Sequence, residues 1–249
     1  MRVTQPIMGM PITIDIRDSQ TSNTLIEKTF AYFRDIDERF STYKETSEIS
    51  RINRGDIDKS QWSSDMQEVF ALAQKTKMES SGYFDIKRPD GLLDPSGIVK
   101  GWAILHAANE LIADNCNNFY IEAGGDIASH GKNSDDKEWS VGIRNPFKEN
   151  DIVKVIYPKG LGVATSGSYE RGTHIYDPHD PTRVLDTIVS ITVIGPDVLE
   201  ADRFATAAFA MGRNGIQYIE RLQGFEAYMI DRTGTATMTS GFEAFTTIV

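Results

Sequence analysis

Residues 11–16, PITIDI, alternate apolar and polar side chains, the period-two pattern of a half-buried strand. The period then changes: Leu25, Ile26, Phe30, Phe33, Ile36 and Phe40 recur at helical spacing and predict an amphipathic helix over 24–40. The Ser/Thr-rich FSTYKETSEISRIN reads as a loop returning to a short helix at about 47–53, and a further helix over about 64–80 stops at Ser81-Gly82. After the turn-rich FDIKRPDGLLDPSG comes a helix over 98–113, behind a glycine-rich start whose N–H groups are left open to an anion. NNFYIEAGGDIASHG predicts strand, tight Gly124-Gly125 turn, strand. WSVGIRNP and LGVATSGSYERGTHIYDP predict strands broken by loops, DTIVSITVIGP a strongly apolar strand, and the tail a hairpin turning at Thr233-Gly234. With no repeat, low-complexity run or Pro/Ser-rich linker, the expectation is a single α+β domain over 1–249, mostly antiparallel.

The run EADRFATAAFAMG, 200–212, reads as buried helix but carries an acid and a hydroxyl. Capping does not account for them, because Asp197 and Glu200 already have the spacing of a capping box. Asp202 therefore falls inside the helix, projecting between Val198 and Phe209, with Glu200, Arg203 and Asn214 on a polar side. Asp202 and Thr206, at i and i+4, present a carboxylate and a hydroxyl to the same spot. Two readings stand: the pair holds a hard cation such as Mg²⁺, or Arg203 or a distant lysine neutralises Asp202 while Thr206 bonds back to its own helix.

Charge narrows the partners. A formal net charge of −10 argues against nucleic acid or an anionic membrane as the main partner. An anionic substrate would need a metal or clustered cations to offset that field. The lone cysteine, Cys116, excludes an internal disulfide and multi-cysteine metal sites. His106, His130, His174 and His179 have no zinc-hydrolase spacing. Residues 1–20 lack the apolar core of a secretory leader, and no apolar run is long enough to cross a membrane, so a cytoplasmic protein is expected.

Three glycine-marked turns remain: Ser96-Gly97 before Lys100-Gly101, Gly124-Gly125-Asp126, and Ser166-Gly167. None has Walker or dinucleotide-fingerprint spacing. His174, three residues before Asp177, is either structural or a general base. Lys100 is either solvated or set to meet a phosphate.

Taken together, MGMPITIDI, FSTYKETSEISRIN, GYFD, DPSGIVKGWA, EAGGDI, WSVGIRNP, VATSGSYER, HIYDP and ITVIGPDVLEADRFATAAFAMG resemble, in order, the ApbE family of FAD:protein FMN transferases. The resemblance implies a T-fold-related ApbE-like domain that binds FAD and Mg²⁺, cleaves the pyrophosphate and attaches FMN through a phosphoester to a threonine or serine of an acceptor protein, releasing AMP. It makes Asp202, Thr206 and the Gly97 carbonyl the metal ligands and His174 the base for the incoming hydroxyl. Asp94 and Lys100 would hold FAD, Met8 and Tyr43 would lie near its flavin and adenine ends, and Gly124, Gly125, Asp126, Ser166, Gly167 and His174 would complete the cofactor site. Some positions depart from the usual wording: DPSG replaces a D-L-G-G-like stretch, Glu122 replaces a frequent Asn, and no Thr-Gly follows Asp177-Pro178. The segment between GYFD and DPSG is also short, which implies a thinner wall on one side of the pocket. The same site with water as nucleophile would be an FAD pyrophosphatase, and a degenerate one a non-catalytic FAD-binding module.

Overall fold

The computed structural model describes residues 1–19, 21–168 and 175–247. A hairpin of β1 (Arg2–Ile7) and β2 (Met10–Ile16) precedes three helices, α1 (Asn23–Phe40), α2 (Glu48–Arg54) and α3 (Ser64–Glu79). α4 (Ser96–Ala113) leads into β3 (Phe119–Ala123) and β4 (Asp126–His130). β5 (Val141–Arg144) and β6 (Ile152–Ile156) form a separate hairpin before β7 (Gly162–Gly167) and β8 (Ile188–Gly195). α5 (Val198–Ala210) and α6 (Gly215–Glu220) then precede β9 (Glu226–Asp231) and β10 (Ala236–Met238).

Eight strands join in the order β1-β2-β3-β4-β7-β8-β9-β10, every neighbouring pair antiparallel. The fold is α+β with an antiparallel sheet, as the alternating patterns predict. The order follows the chain almost without crossing, because helices are inserted between strands that still pair with each other: α1 to α4 between β2 and β3, α5 and α6 between β8 and β9.

α4 and α5 pack against each other and on one face of the sheet, over β3, β4, β7 and β8. Ile12, Ile14 and Ile16 of β2 are fully buried beneath α1, whose Ile26, Phe30, Phe33, Ile36 and Phe40 make the inward stripe the spacing predicts. Each such side chain contributes about 1.5–3 kcal/mol of burial. The β5–β6 hairpin covers part of the other face, setting Val141, Ile143 and Ile156 against Ile127, Val163, Ile194 and Phe242.

β2 is less half-wet than its alternation suggests. Its polar residues are buried too, since it has a strand on each side: Thr13 bonds the Thr4 hydroxyl across the pair at 2.9 Å, and Asp15 is held by Arg17. β1 has no counterpart in the sequence reading because it is an edge strand exposed along most of its length, with little apolar signal. Gly124 and Gly125, at φ 53° and 86°, both take left-handed backbone and form the tight primed turn joining β3 to β4.

Candidate active site

The two central helices meet glycine against functional side chain. A Cβ added to Gly101 of α4 would lie 2.6 Å from Asp202 Cβ and 2.9 Å from the Val198 carbonyl, while one on Gly97 would touch Thr206 Cγ2 at 3.3 Å. Glycines at i and i+4 of one helix thus receive the acid and the hydroxyl at i and i+4 of the other. The Gly101 N–H donates to Asp202 Oδ2 at 2.8 Å, and the Thr206 hydroxyl points across to the Gly97 carbonyl at 3.4 Å rather than back along its own helix.

Arg203 does not neutralise Asp202. It is 2% exposed, in place of the polar-side position the helical wheel assigns, and binds Glu200, Glu79 and the Thr76 hydroxyl while its guanidinium lies over the Phe204 ring. Burial is tolerated because two carboxylates match its charge. Glu200 is accordingly spent on Arg203, and of the expected capping box only the Asp197 half forms, with Oδ1 accepting from the Glu200 N–H at 2.8 Å.

Lys100 lies 2.6 Å from Asp126 Oδ2 and 4.0 Å from Asp202 Oδ1. Burial pushes the Asp126 carboxyl well above the usual range; the charge of Asp202 acts the same way, and Lys100 and the Thr165 N–H oppose it. At this crossing the Lys100 ammonium lies nearer Asp126 than Asp202, and a divalent cation would balance the charge of Asp202. The donors fit one. Asp202, Thr206 and Gly97 present hard oxygens, and the 3.4 Å between the last two compares with about 3 Å between adjacent oxygens of an octahedral Mg²⁺. Among the described residues no group of three or more His, Cys, Asp or Glu could hold a metal, so an ion here would complete its shell with substrate or water oxygens.

Above the crossing opens a cavity of about 370 Å³. Tyr43, 96% exposed, stands at its edge. Asp94 precedes α4 and accepts from the Ser96 N–H at 3.0 Å, so this helix start, which has Pro95 as its cap and no side-chain bond there, is partly served by an acid rather than left wholly open to an anion.

The chain matches the sequence model of the ApbE family over residues 8–88 and 87–229. The chain belongs to the ApbE family. A protein named FAD:protein FMN transferase from Klebsiella pneumoniae (strain 342) is 33% identical over 155 residues, covering 59% of this chain and 44% of that protein. One of the same name from Haemophilus influenzae is 26% identical over 288 residues, covering 90% and 83%. The chain spans about half the length of the first of these curated relatives. Among solved structures, the flavin transferase ApbE of Vibrio cholerae superposes with TM-score 0.86 at 24% identity over 98% of each chain. The ApbE protein of Thermotoga maritima gives 0.87 at 21% identity over 99% of each. At these identities the two structures establish the fold.

In this ApbE-family chain Tyr43, Asp94, Gly97, Lys100, Gly124, Ser166, Gly167, Asp202 and Thr206 all line the cavity. Three expected residues do not. Met8 sits in the β1–β2 turn at φ 57°, Gly125 faces a cleft on the opposite side of the sheet, and Asp126 is wholly buried behind Lys100. His174 lies outside the described residues. Ser166-Gly167 is the end of β7 rather than a turn, paired to Ile191 and Ser190. Tyr83, Asp85, Arg88 and Tyr176 also line the cavity and were not expected. The signal for Arg88 was the pair of cations Lys87-Arg88 in the turn KRPDG of an acidic chain. The short 85–94 segment nonetheless builds a wall: Lys87 bridges to Leu93, and the Tyr176 hydroxyl donates to the Asp85 and Lys87 carbonyls at 3.2 and 2.9 Å.

Proposed function

We propose that this chain is a Mg²⁺-dependent FAD:protein FMN transferase that moves FMN from FAD to a threonine hydroxyl of an acceptor protein and releases AMP. The observation that carries the reading is the meeting of Asp202, Thr206, the Gly97 carbonyl and Lys100 at the floor of one cavity, in an ApbE-family chain whose relatives bear that name.

The chemistry follows from the residues. Attack on a phosphorus that already carries negative oxygens is slow chiefly through charge repulsion, so a catalyst must position and neutralise. The Lys100 ammonium, 12% exposed at its side chain and lining the cavity, would meet pyrophosphate oxygens, and the positive end of α4 would add to its field. Asp202, Thr206 and Gly97 would hold Mg²⁺. When bound, the ion supplies charge neutralisation to the pyrophosphate and the departing AMP oxygen. The exposed Tyr43 ring offers a face for an aromatic base. The acceptor oxygen forms the new bond to the FMN phosphorus, the bond to the AMP oxygen breaks, and the hydroxyl proton passes to a base, for which His174 is the proposed residue.

The test is mass spectrometry of a threonine-bearing acceptor after incubation with FAD and Mg²⁺, with AMP measured in parallel. Addition of the FMN mass together with AMP supports the transferase. Rapid AMP release without acceptor would make the chain a pyrophosphatase, and FAD binding with no turnover would make it a binding module.

A further inference from the structure

Asp126 stands behind Lys100 at the crossing and takes no direct part in the proposed reaction. It is wholly buried and does not line the cavity, so it cannot touch a ligand there. Its own position is tightly set. It begins β4 immediately after the Gly124-Gly125 turn, pairs with Ala123, and its Oδ1 accepts from the Thr165 N–H of β7 at 3.1 Å. Its other oxygen is 2.6 Å from the Lys100 ammonium.

Lys100 has an alternative within reach, because Asp202 Oδ1 is 4.0 Å from the same nitrogen. Opposite charges this deep attract strongly, since little water screens them. A lysine stem of four carbons is flexible enough to close such a gap. If it closed, the ammonium would lie against the carboxylate that α5 offers toward the cavity.

We infer that Asp126 is a positioning residue that reserves Asp202 for a cation by drawing the Lys100 ammonium to itself. This rests on the reading of Asp202 and Thr206 as cation ligands. One carboxylate, held by a strand and out of reach of substrate, fixes the lysine where it can meet a phosphate without quenching the acid beside it. The pair is thus a competition between two acids for one ammonium, settled in favour of the one that has no other task.

The experiment is titration of the 249-residue chain with Mn²⁺, followed by electron paramagnetic resonance, without FAD. Weaker Mn²⁺ binding by Asp202→Asn first shows that the ion is read at this position; if wild type and Asp202→Asn bind alike, the cation reading itself fails, and this inference with it. Asp126→Asn keeps the shape and the acceptor for Thr165 while removing the charge. Its Mn²⁺ affinity is expected to fall roughly 10–100-fold, the usual effect of losing a group that supports a metal ligand. Asp126→Asn/Lys100→Met, with no ammonium left to compete, is expected to recover most of that affinity. A role in folding alone would leave the double variant as weak as the single one. Circular dichroism checks that each variant is folded. Where Asp126→Asn alone is not, the double variant still decides, because near wild-type Mn²⁺ affinity supports the inference. Wild-type affinity in Asp126→Asn, or a double variant weakened tenfold or more, overturns it while leaving the cation reading intact.

Discussion

Asp202 and Thr206 show how two side chains acquire different duties on one helix turn. Asp202 gives one oxygen to the Gly101 N–H and keeps the other beside Lys100, while Thr206 turns its hydroxyl to the Gly97 carbonyl. Asp202→Ala should therefore leave little FMN transfer, a loss of at least about 100-fold in kcat, because anchored charge stabilisation at a reacting phosphate is worth several kcal/mol; steady-state AMP release in saturating Mg²⁺ checks it. Thr206→Val, near in shape, should leave the melting temperature close to wild type and weaken Mg²⁺ activation. Arg203 is different in kind, a structural cation buried between Glu79 and Glu200. Arg203→Ala should cost about 3–5 kcal/mol by urea unfolding, through lost packing on Phe204 and loss of the buried cation that Glu200 and Glu79 share.

Helices and strands place those residues by close approach. α4 can lie against α5 only because position 101 has no side chain, so Gly101→Ala should push Asp202 away from the α4 N-terminus. The expected result is a loss of about 1–3 kcal/mol of stability, typical of overpacking, with a larger proportional loss of transfer activity; urea unfolding and AMP release separate the two. Gly162 of β7 is tighter still, since a Cβ there would fall 2.1 Å from the Asp197 carbonyl carbon and the Val198 nitrogen at the start of α5. These contacts explain what the sequence could and could not disclose at this scale. The helical stripe of α1 and the apolar run of β8 were legible because each element's own periodicity reports its burial. β1 and the inward turn of Arg203 were not, because an edge strand carries little apolar signal and a buried arginine is settled by acids far away in the chain, such as Glu79.

The molecule as a whole surrounds an acidic cavity floor with an acidic protein, so ligand binding should be strongly interdependent. FAD with Mg²⁺ should raise the melting temperature more than the sum of either alone, because the pyrophosphate and the ion complete each other's coordination and only the folded chain holds both. Chelation with EDTA should return the FAD-bound protein to the small shift of FAD alone; differential scanning fluorimetry across the four conditions measures it. Equal and additive shifts would mean that the two ligands occupy independent sites.

From the order of residues alone came the α+β class, the antiparallel pairing, most helix and strand spans, and the suspicion that an acid and a hydroxyl one turn apart were meant for a cation. Those are local properties, written in period, capping and spacing. The chain order could not say which lysine faced Asp202, that Asp126 would stand behind that lysine instead of in the cavity wall, or that Arg203 would be buried. Each depends on bringing together groups separated by tens of residues or more: α4 on α5, β4 beside β7, α3 against α5. Burial then removes the screening water, and the short list of charges that happen to meet there decides how every one of them is used.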